Sequence, residues 1–460
     1  MRLIWKHAVV ASMVWVHALH AQSVNGASVQ PPPPLRIPVE IEREVRRLAA
    51  LNPDGGLWPG FDPLAIPLAV FDGRQTYLFR HPSPPPGFKP LEAAFPNSYV
   101  RDGRLEEITA NSSAMIGGVM TATIMQTGPM NFDYPAVTAP VAIHEAFHVY
   151  QRAHHKDWIA NEADLFAYHF EVPQLLTFRR LESDALRRAL LSYDPAKSAC
   201  WVRGALKYRQ DRFARMDPSY GAYERGTELN EGLATYVEAR STDRIVEFPA
   251  NEFPLTGVRQ RAYASGSAIA TLLDRFRPQW KQEFERGDRT SMEQALGESV
   301  GEGKSCQASS IELSLAAQRS WEESSALMTE RGKRHGAFMA KPGWRLVVET
   351  SGSQPMFPQG FDPLNVVSFP PADVLHTRFL KAGNNLGQIE ILNTEALTVS
   401  AGVHPIMQGF RSLTVTGLAK PEISDSLGTI TVKAPGVSLR FSKSFVQVDS
   451  MTVTVKLRGP

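Results

Sequence analysis

The stretch that decides the fold is Val141-Ala142-Ile143-His144-Glu145-Ala146-Phe147-His148-Val149-Tyr150. Read as a helix, it sets His144 and His148 one turn apart on the same face, so both imidazoles can meet a single metal ion. Glu145 stands beside them without needing to ligate, where it can take a proton from water on the metal. Ile143, Phe147 and Tyr150 give the opposite, core-facing stripe. Pro140 suits the first turn of such a helix, where its missing N–H would have no partner anyway. Two ordinary helix histidines are the alternative reading. A catalytic zinc wants three protein ligands and one open position, so the next question is where a third ligand lies.

Downstream runs Glu228-Leu229-Asn230-Glu231-Gly232-Leu233-Ala234-Thr235-Tyr236-Val237-Glu238, a helical stretch with carboxylates near its start. Together the two segments resemble the gluzincin metallopeptidases, in particular the aminopeptidase N-like branch of the peptidase MA-like superfamily. That resemblance implies a zincin-like catalytic domain holding one Zn²⁺ through His144, His148 and Glu231. Asn230, Gly232 and Ala234 match the family's Asn-Glu-Gly-Phe-Ala segment, and Leu233 replaces its Phe. Glu228, one turn earlier, is the alternative ligand or a supporting partner. Tyr263-Ala264-Ser265-Gly266 resembles the family's Tyr-x-x-Gly, whose hydroxyl holds the tetrahedral oxyanion, which makes Tyr263 a catalytic candidate beside Glu145. Tyr263 could equally be a packed helix tyrosine, and Tyr220 and Tyr223 compete for the role.

One comparison is informative because it fails. The family reads a substrate's amino group with a Gly-x-Met-Glu-Asn strand, whereas Gly118-Val119-Met120-Thr121-Ala122 has Thr121 for the Glu and Ala122 for the Asn. Such a strand is expected to pair with an extended peptide backbone, yet it lacks the carboxylate that would hold an ammonium. An endopeptidase is therefore favoured over an aminopeptidase. The resemblance runs from Gly118 to about Arg275. Between His148 and Glu231 the chain is longer than in the family, so Pro173–Tyr193 and Ala196–Met216 are expected to fold as an inserted helical hairpin.

Outward from this centre the chain reads as α+β. Residues 22–135 are β-rich, with a hairpin of Ile66–Phe71 and Gln75–Phe79 around Asp72-Gly73 and an extended stretch from Met115 to Met125. Residues 136–340 are helical, the zincin half. Pro140–Ala153, Glu162–Phe170, Pro173–Tyr193, Ala196–Met216 and Gly226–Arg240 each carry apolar residues at three- and four-residue spacing. Residues 341–460 return to short alternating runs punctuated by Gly and Pro, as in a β-sandwich-like domain. The pentapeptide Gly-Phe-Asp-Pro-Leu occurs at Gly60–Leu64 and again at Gly360–Leu364, either as a recurring Asp-Pro turn or as two related β elements.

The first residues carry Arg2 and Lys6, the apolar run Ala8–Val16 and a small residue at Ala21, the order of a secretory signal peptide over residues 1–21. Pro31–Pro34 would be a stiff spacer. Export implies an oxidising compartment, where Cys200 and Cys306 are expected to pair; two free thiols are the alternative. The 460 residues include 49 Lys+Arg against 47 Asp+Glu, a balance that argues against a broad nucleic-acid surface. No apolar run reaches the length of a membrane span.

Other candidates read as ordinary structure. His154, His155 and His169 define no second site and are expected on the surface. Glu182 and Asp184, among Arg179, Arg180, Arg187 and Arg188, are expected to make exposed ion pairs along one helix, with an inward-facing Glu182 the lesser alternative. His376 reads as a turn histidine. The whole predicts an exported zinc metallopeptidase acting on peptide or protein. The alternatives are a non-catalytic binding protein with structural zinc and a non-proteolytic enzyme using the same metal.

Overall fold

In the computed structural model, residues 37–457 are described except 54, 92–94, 127–133, 245, 247, 250–252, 289–290, 351–353, 363–364 and 405. The expected signal peptide and polyproline spacer lie outside the described residues. Gly73 turns the first hairpin at a φ of +96°, and Asp72 Oδ1 accepts the N–H groups of Arg74 and Gln75 at 2.8 and 2.6 Å. This pairs β1 (Leu68–Phe71) with β2 (Gln75–Phe79) antiparallel. The short β3 (Lys89–Pro90), β4 (Tyr99–Asp102), β5 (Ser112–Ile116) and β6 (Val119–Met125) complete a sheet of order β3-β4-β2-β1-β6-β5. Only β1 and β6 run parallel.

Met120-Thr121-Ala122 lies on β6, which is bonded to β5 over Val119–Thr123 and to β1 over Ala122–Met125. The edge strand is β5, turned back on β6 through Gly117 and Gly118, both at positive φ.

The helices begin with α1 (Ile37–Leu51), which packs against α2 (Pro135–His154). α2 also touches β5 and β6, and from Thr138 to Gln151 it is buried almost all round. Its first turn is set by Pro135, not Pro140, which sits inside the helix and forfeits one backbone bond there. The expected helix at Glu162–Phe170 shrinks to the single turn α3 (Asp164–Ala167). α4 (Pro173–Leu191) and α5 (Pro195–Phe213) pack along each other across a tight turn, so the long interval between the two motifs is filled by a helical hairpin. Next, α6 (Pro218–Thr227), a π-helical turn over Glu228–Gly232 and α7 (Leu233–Ser241) run as one continuous helix. α8 (Val258–Phe276), α9 (Trp280–Glu285), α10 (Met292–Val300) and the long α11 (Ser310–Met339) follow.

One core joins α1, the first sheet and the helices, through residues such as Val45, Val70, Phe147, Tyr236 and Trp280. The Cys200–Cys306 disulfide is present, tying α5 to the segment before α11 across 106 residues. Beyond α11 the chain forms a seven-stranded and a six-stranded sheet whose inner faces share a second core, including Leu346, Ile389, Val415 and Leu439. α11 connects the regions. Arg180 and Arg188 of α4 pair with its Glu323 and Glu312, while Phe338 at its end packs with Phe369, Leu375 and Leu397 of the C-terminal sheets.

The repeated pentapeptide does two different things. At Gly60–Leu64, Asp62 caps a short 3₁₀ turn and Phe61 packs on Phe147 and Tyr150. At the second copy Phe361 ends a strand and packs edge-on against Phe166, and Pro363 and Leu364 lie outside the described residues.

Candidate metal centre

Helical spacing on α2 brings the rings of His144 and His148 to 4.8 Å between centroids, nearly perpendicular at 78°. Glu231 reaches them from the π-helical turn. A π turn inserts one extra residue per turn and reorients the side chains that follow, and such turns recur at functional sites. The π turn packs closely on α8. A Cβ built on Gly232 would lie 2.7 Å from Gly266 Cα, and one on Gly266 would lie 2.8 Å from the Glu228 carbonyl oxygen. The glycines of the two sequence segments are thus each other's contact, and their lack of side chains lets the Glu231 helix and the Tyr263 helix touch.

Three donor atoms converge. His148 Nε2 is 3.1 Å from His144 Nε2 and 3.1 Å from Glu231 Oε2, and His144 Nε2 is 3.5 Å from the same oxygen. Tetrahedral zinc with bonds of 2.0–2.2 Å separates its ligand atoms by roughly 3.3–3.6 Å. The three separations fall within a few tenths of an ångström of that edge length, so the set fits a divalent ion. His144, His148 and Glu231 form a buried cluster able to hold a metal. Each is 8% exposed, and so is Glu145. All four line a cleft of about 740 Å³ that also borders Asn111 and Ser112 at the start of β5.

The surrounding groups fix the donors. Gln151 Oε1 lies 2.8 Å from His148 Nδ1, while Gln151 Nε2 donates to the Leu229 and Asn230 carbonyls at 3.0 Å each. A proton held on Nδ1 by that contact leaves Nε2 free to ligate. Glu238 Oε2 lies 3.3 Å from His144 Nδ1, near enough for charge attraction though not aligned as a hydrogen bond. Arg259 donates to Glu231 Oε1 at 2.9 Å and, through Nε, to the Tyr263 hydroxyl at 3.2 Å.

Burial shapes the charges. It disfavours a charged His144, but Glu231 and Glu238 outweigh it and push the imidazole up to about 9. Burial likewise opposes the Glu231 carboxylate, and His144 and His148 overcome it, holding the group far below the usual range. Glu145 is raised by burial, partly offset by the two histidines. Tyr263 is raised by burial and by the Glu231 charge, against Arg259, so it keeps its proton and can donate.

Several side chains lie elsewhere. Glu228 is taken up by Arg209 and by the Ser265 hydroxyl, and it is not among the converging donors. Tyr220 donates to the Ala167 carbonyl, and Tyr223 points to Glu162 at 3.4 Å; neither lines the cleft. Asp184 makes the expected ion pairs with Arg187 and Arg188. Glu182 departs from that pattern. It is 1% exposed and pairs with Arg209, Arg212 and Arg261, arginines from two other helices that also hold Glu224 and Glu228. Helical periodicity shows only a residue's own helix, and these partners lie on α5 and α8. His155 pairs with Glu285 and stacks on Trp158 at 3.8 Å; it lines the cleft without joining the donor set. His376 is buried on a strand beside Thr398, not in a turn.

Sequence reasoning missed Gln151, Arg259 and Glu238. Gln151 stands three residues after His148, and Arg259 four before Tyr263, spacings that share a helix face and are the signal for polar support. No protein-family model, curated protein or solved structure matches this chain.

Proposed function

We propose that the protein is an exported, zinc-dependent metallohydrolase of the gluzincin type, a peptidase cutting internal peptide bonds. One observation carries the reading: three donors spaced as tetrahedral ligands border a cleft, with an unligated buried carboxylate, Glu145, lining it too. His144 Nε2, His148 Nε2 and Glu231 Oε2 would hold the ion. Zinc bound there supplies a Lewis acid that acidifies water and polarises a carbonyl. Glu145 takes the proton of the attacking water and returns it to the leaving amine; its raised pKa suits both transfers. The Tyr263 hydroxyl donates toward the oxyanion that develops on the substrate. Along the cleft, β5 is bonded only to β6 among the described residues, which leaves an edge for an extended peptide backbone. The disulfide and the residue order of the first 21 positions support export.

The rival reading, a binding protein with structural zinc, needs a closed fourth position. Glu228, the alternative ligand read from the sequence, is committed to Arg209 and Ser265, and this favours catalysis. The test is Glu145→Gln, assayed by metal analysis and digestion of a peptide library. Zinc content should stay at wild-type level while cleavage falls by at least about a hundredfold, with wild type cutting at internal bonds. A variant that digests the library normally would remove Glu145 from the mechanism, and release of amino-terminal residues alone would replace the endopeptidase reading.

A further inference from the structure

A second cavity, of about 800 Å³, adjoins the metal cleft. The two share Glu162 and Arg259, and Arg259 itself bonds the far oxygen of Glu231 at 2.9 Å. The second cavity therefore begins one side chain away from the donor set. Its apolar lining comes from three parts of the chain: Leu165, Phe166 and Phe170 around α3, Leu327 on α11, and Val366 and Val367 on a strand of the C-terminal sheets. An apolar cavity of this size, bordered by a few polar groups, has the character of a ligand site.

The arginines at its rim already have acidic neighbours. Arg259 pairs with Glu231 and with Glu162, the latter at 3.3 Å. Arg331 lies 3.4 Å from Glu171 and over the Phe170 ring, and Arg334 pairs with Glu395. An anionic occupant would find these arginines taken, and the lining of Leu165, Phe166, Phe170, Leu327, Val366 and Val367 favours an apolar one. The walls are also tied in place. Phe166 packs edge-on against Phe361 at 5.2 Å, Asp164 lies 3.7 Å from His404, and the Ser324 hydroxyl on α11 donates to the Glu171 carbonyl. Each of these contacts fixes the α3 segment against α11 or the C-terminal sheets.

We infer that this cavity receives a large apolar side chain of the peptide bound in the metal cleft, from a residue close to the scissile bond, and so sets substrate preference. The inference rests on the peptidase reading. It also assigns the C-terminal sheets a part in specificity, as one wall of the subsite. An extended chain advances about 3.4 Å per residue, so a cavity reached past a single arginine lies within the span of one or two residues from the cut.

The experiment is a peptide-library digest by the zinc-loaded full chain, followed by kcat/KM on two peptides that differ only in Phe or Ala beside the preferred cut. Cuts should cluster next to Phe, Leu, Met or Trp. Leu327→Glu, which sets a charge in the cavity, should lower kcat/KM on the Phe peptide roughly tenfold or more relative to the Ala peptide. Val366→Trp, which fills the cavity, should do the same, and Leu327→Met should restore the preference. Zinc content should be unchanged throughout. Cuts made without regard to neighbouring side chains, or variants that slow both peptides equally, would overturn the inference and leave the peptidase reading standing. If the zinc-loaded wild type cuts nothing, the peptidase reading falls and this inference with it.

Discussion

Gln151 shows how much a single side chain can organise. Its amide carbonyl holds His148 Nδ1 while its amide nitrogen bonds the backbone of the turn that delivers Glu231, so one residue aligns donors from two distant parts of the chain. His144 is the other decisive residue. With its pKa pushed up to about 9 by Glu231 and Glu238 against the cost of burial, the ring is protonated at neutral pH in the metal-free protein. A metal needs that nitrogen bare, so binding must displace the proton. Affinity should therefore rise with pH up to about 9 and weaken as pH falls below it. Calorimetric zinc titration at pH 7, repeated in buffers of different ionisation heat, should show about one proton released per ion bound. No net release, with affinity flat between pH 6 and 8, would contradict this account of His144.

Among the elements, the π turn and its contact with α8 determine whether Glu231 and Tyr263 face the same cleft. The Gly232–Gly266 contact leaves no space for a methyl group, and the nearest atoms are backbone, which cannot swing aside. Gly266→Ala should force the two helices apart, costing about 1–3 kcal/mol of stability and weakening zinc binding as well, because Glu231 moves with its helix. Thermal unfolding with and without zinc checks this. A variant as stable as wild type, with unchanged zinc affinity, would mean that the helices adjust without disturbing the donors. The two glycines are present in the sequence motifs, but nothing in the sequence reveals that they touch each other. Likewise, helical periodicity located α4, α5 and α7, yet it missed the π turn, since one extra residue in a turn leaves the apolar pattern nearly unchanged.

At the scale of the whole molecule, what the sequence revealed was local chemistry and periodicity, and what it hid was contact between distant segments. His144, His148 and Glu231, which the fold brings together, could be picked out because metal chemistry restricts residue type and spacing. The Asp72-Gly73 hairpin was legible for a similar reason, since few residues accept that turn. The edge position of β5 was not, because strand order depends on pairings across the sheet and β5 and β6 are alike in composition. The buried Glu182 network escaped too, its arginines lying on helices folded back from elsewhere. In the C-terminal region the runs that became Trp344–Glu349 and Val437–Ser442 were visible, whereas Asp373–His376 was read as a turn around His376. The long α11 and the C-terminal sheets then line the cavity beside the metal cleft, a relation that only the folded chain makes evident. The central claim is that His144, His148 and Glu231 together hold one divalent ion. Zinc content and zinc X-ray absorption of the purified full chain, beside Glu231→Ala, measure it most directly. The account predicts one zinc per chain with nitrogen and oxygen neighbours at about 2.0–2.2 Å, and at least a hundredfold weaker binding in the variant. Wild-type zinc affinity in Glu231→Ala, or a sulfur-containing or fully protein-closed coordination shell, would contradict it.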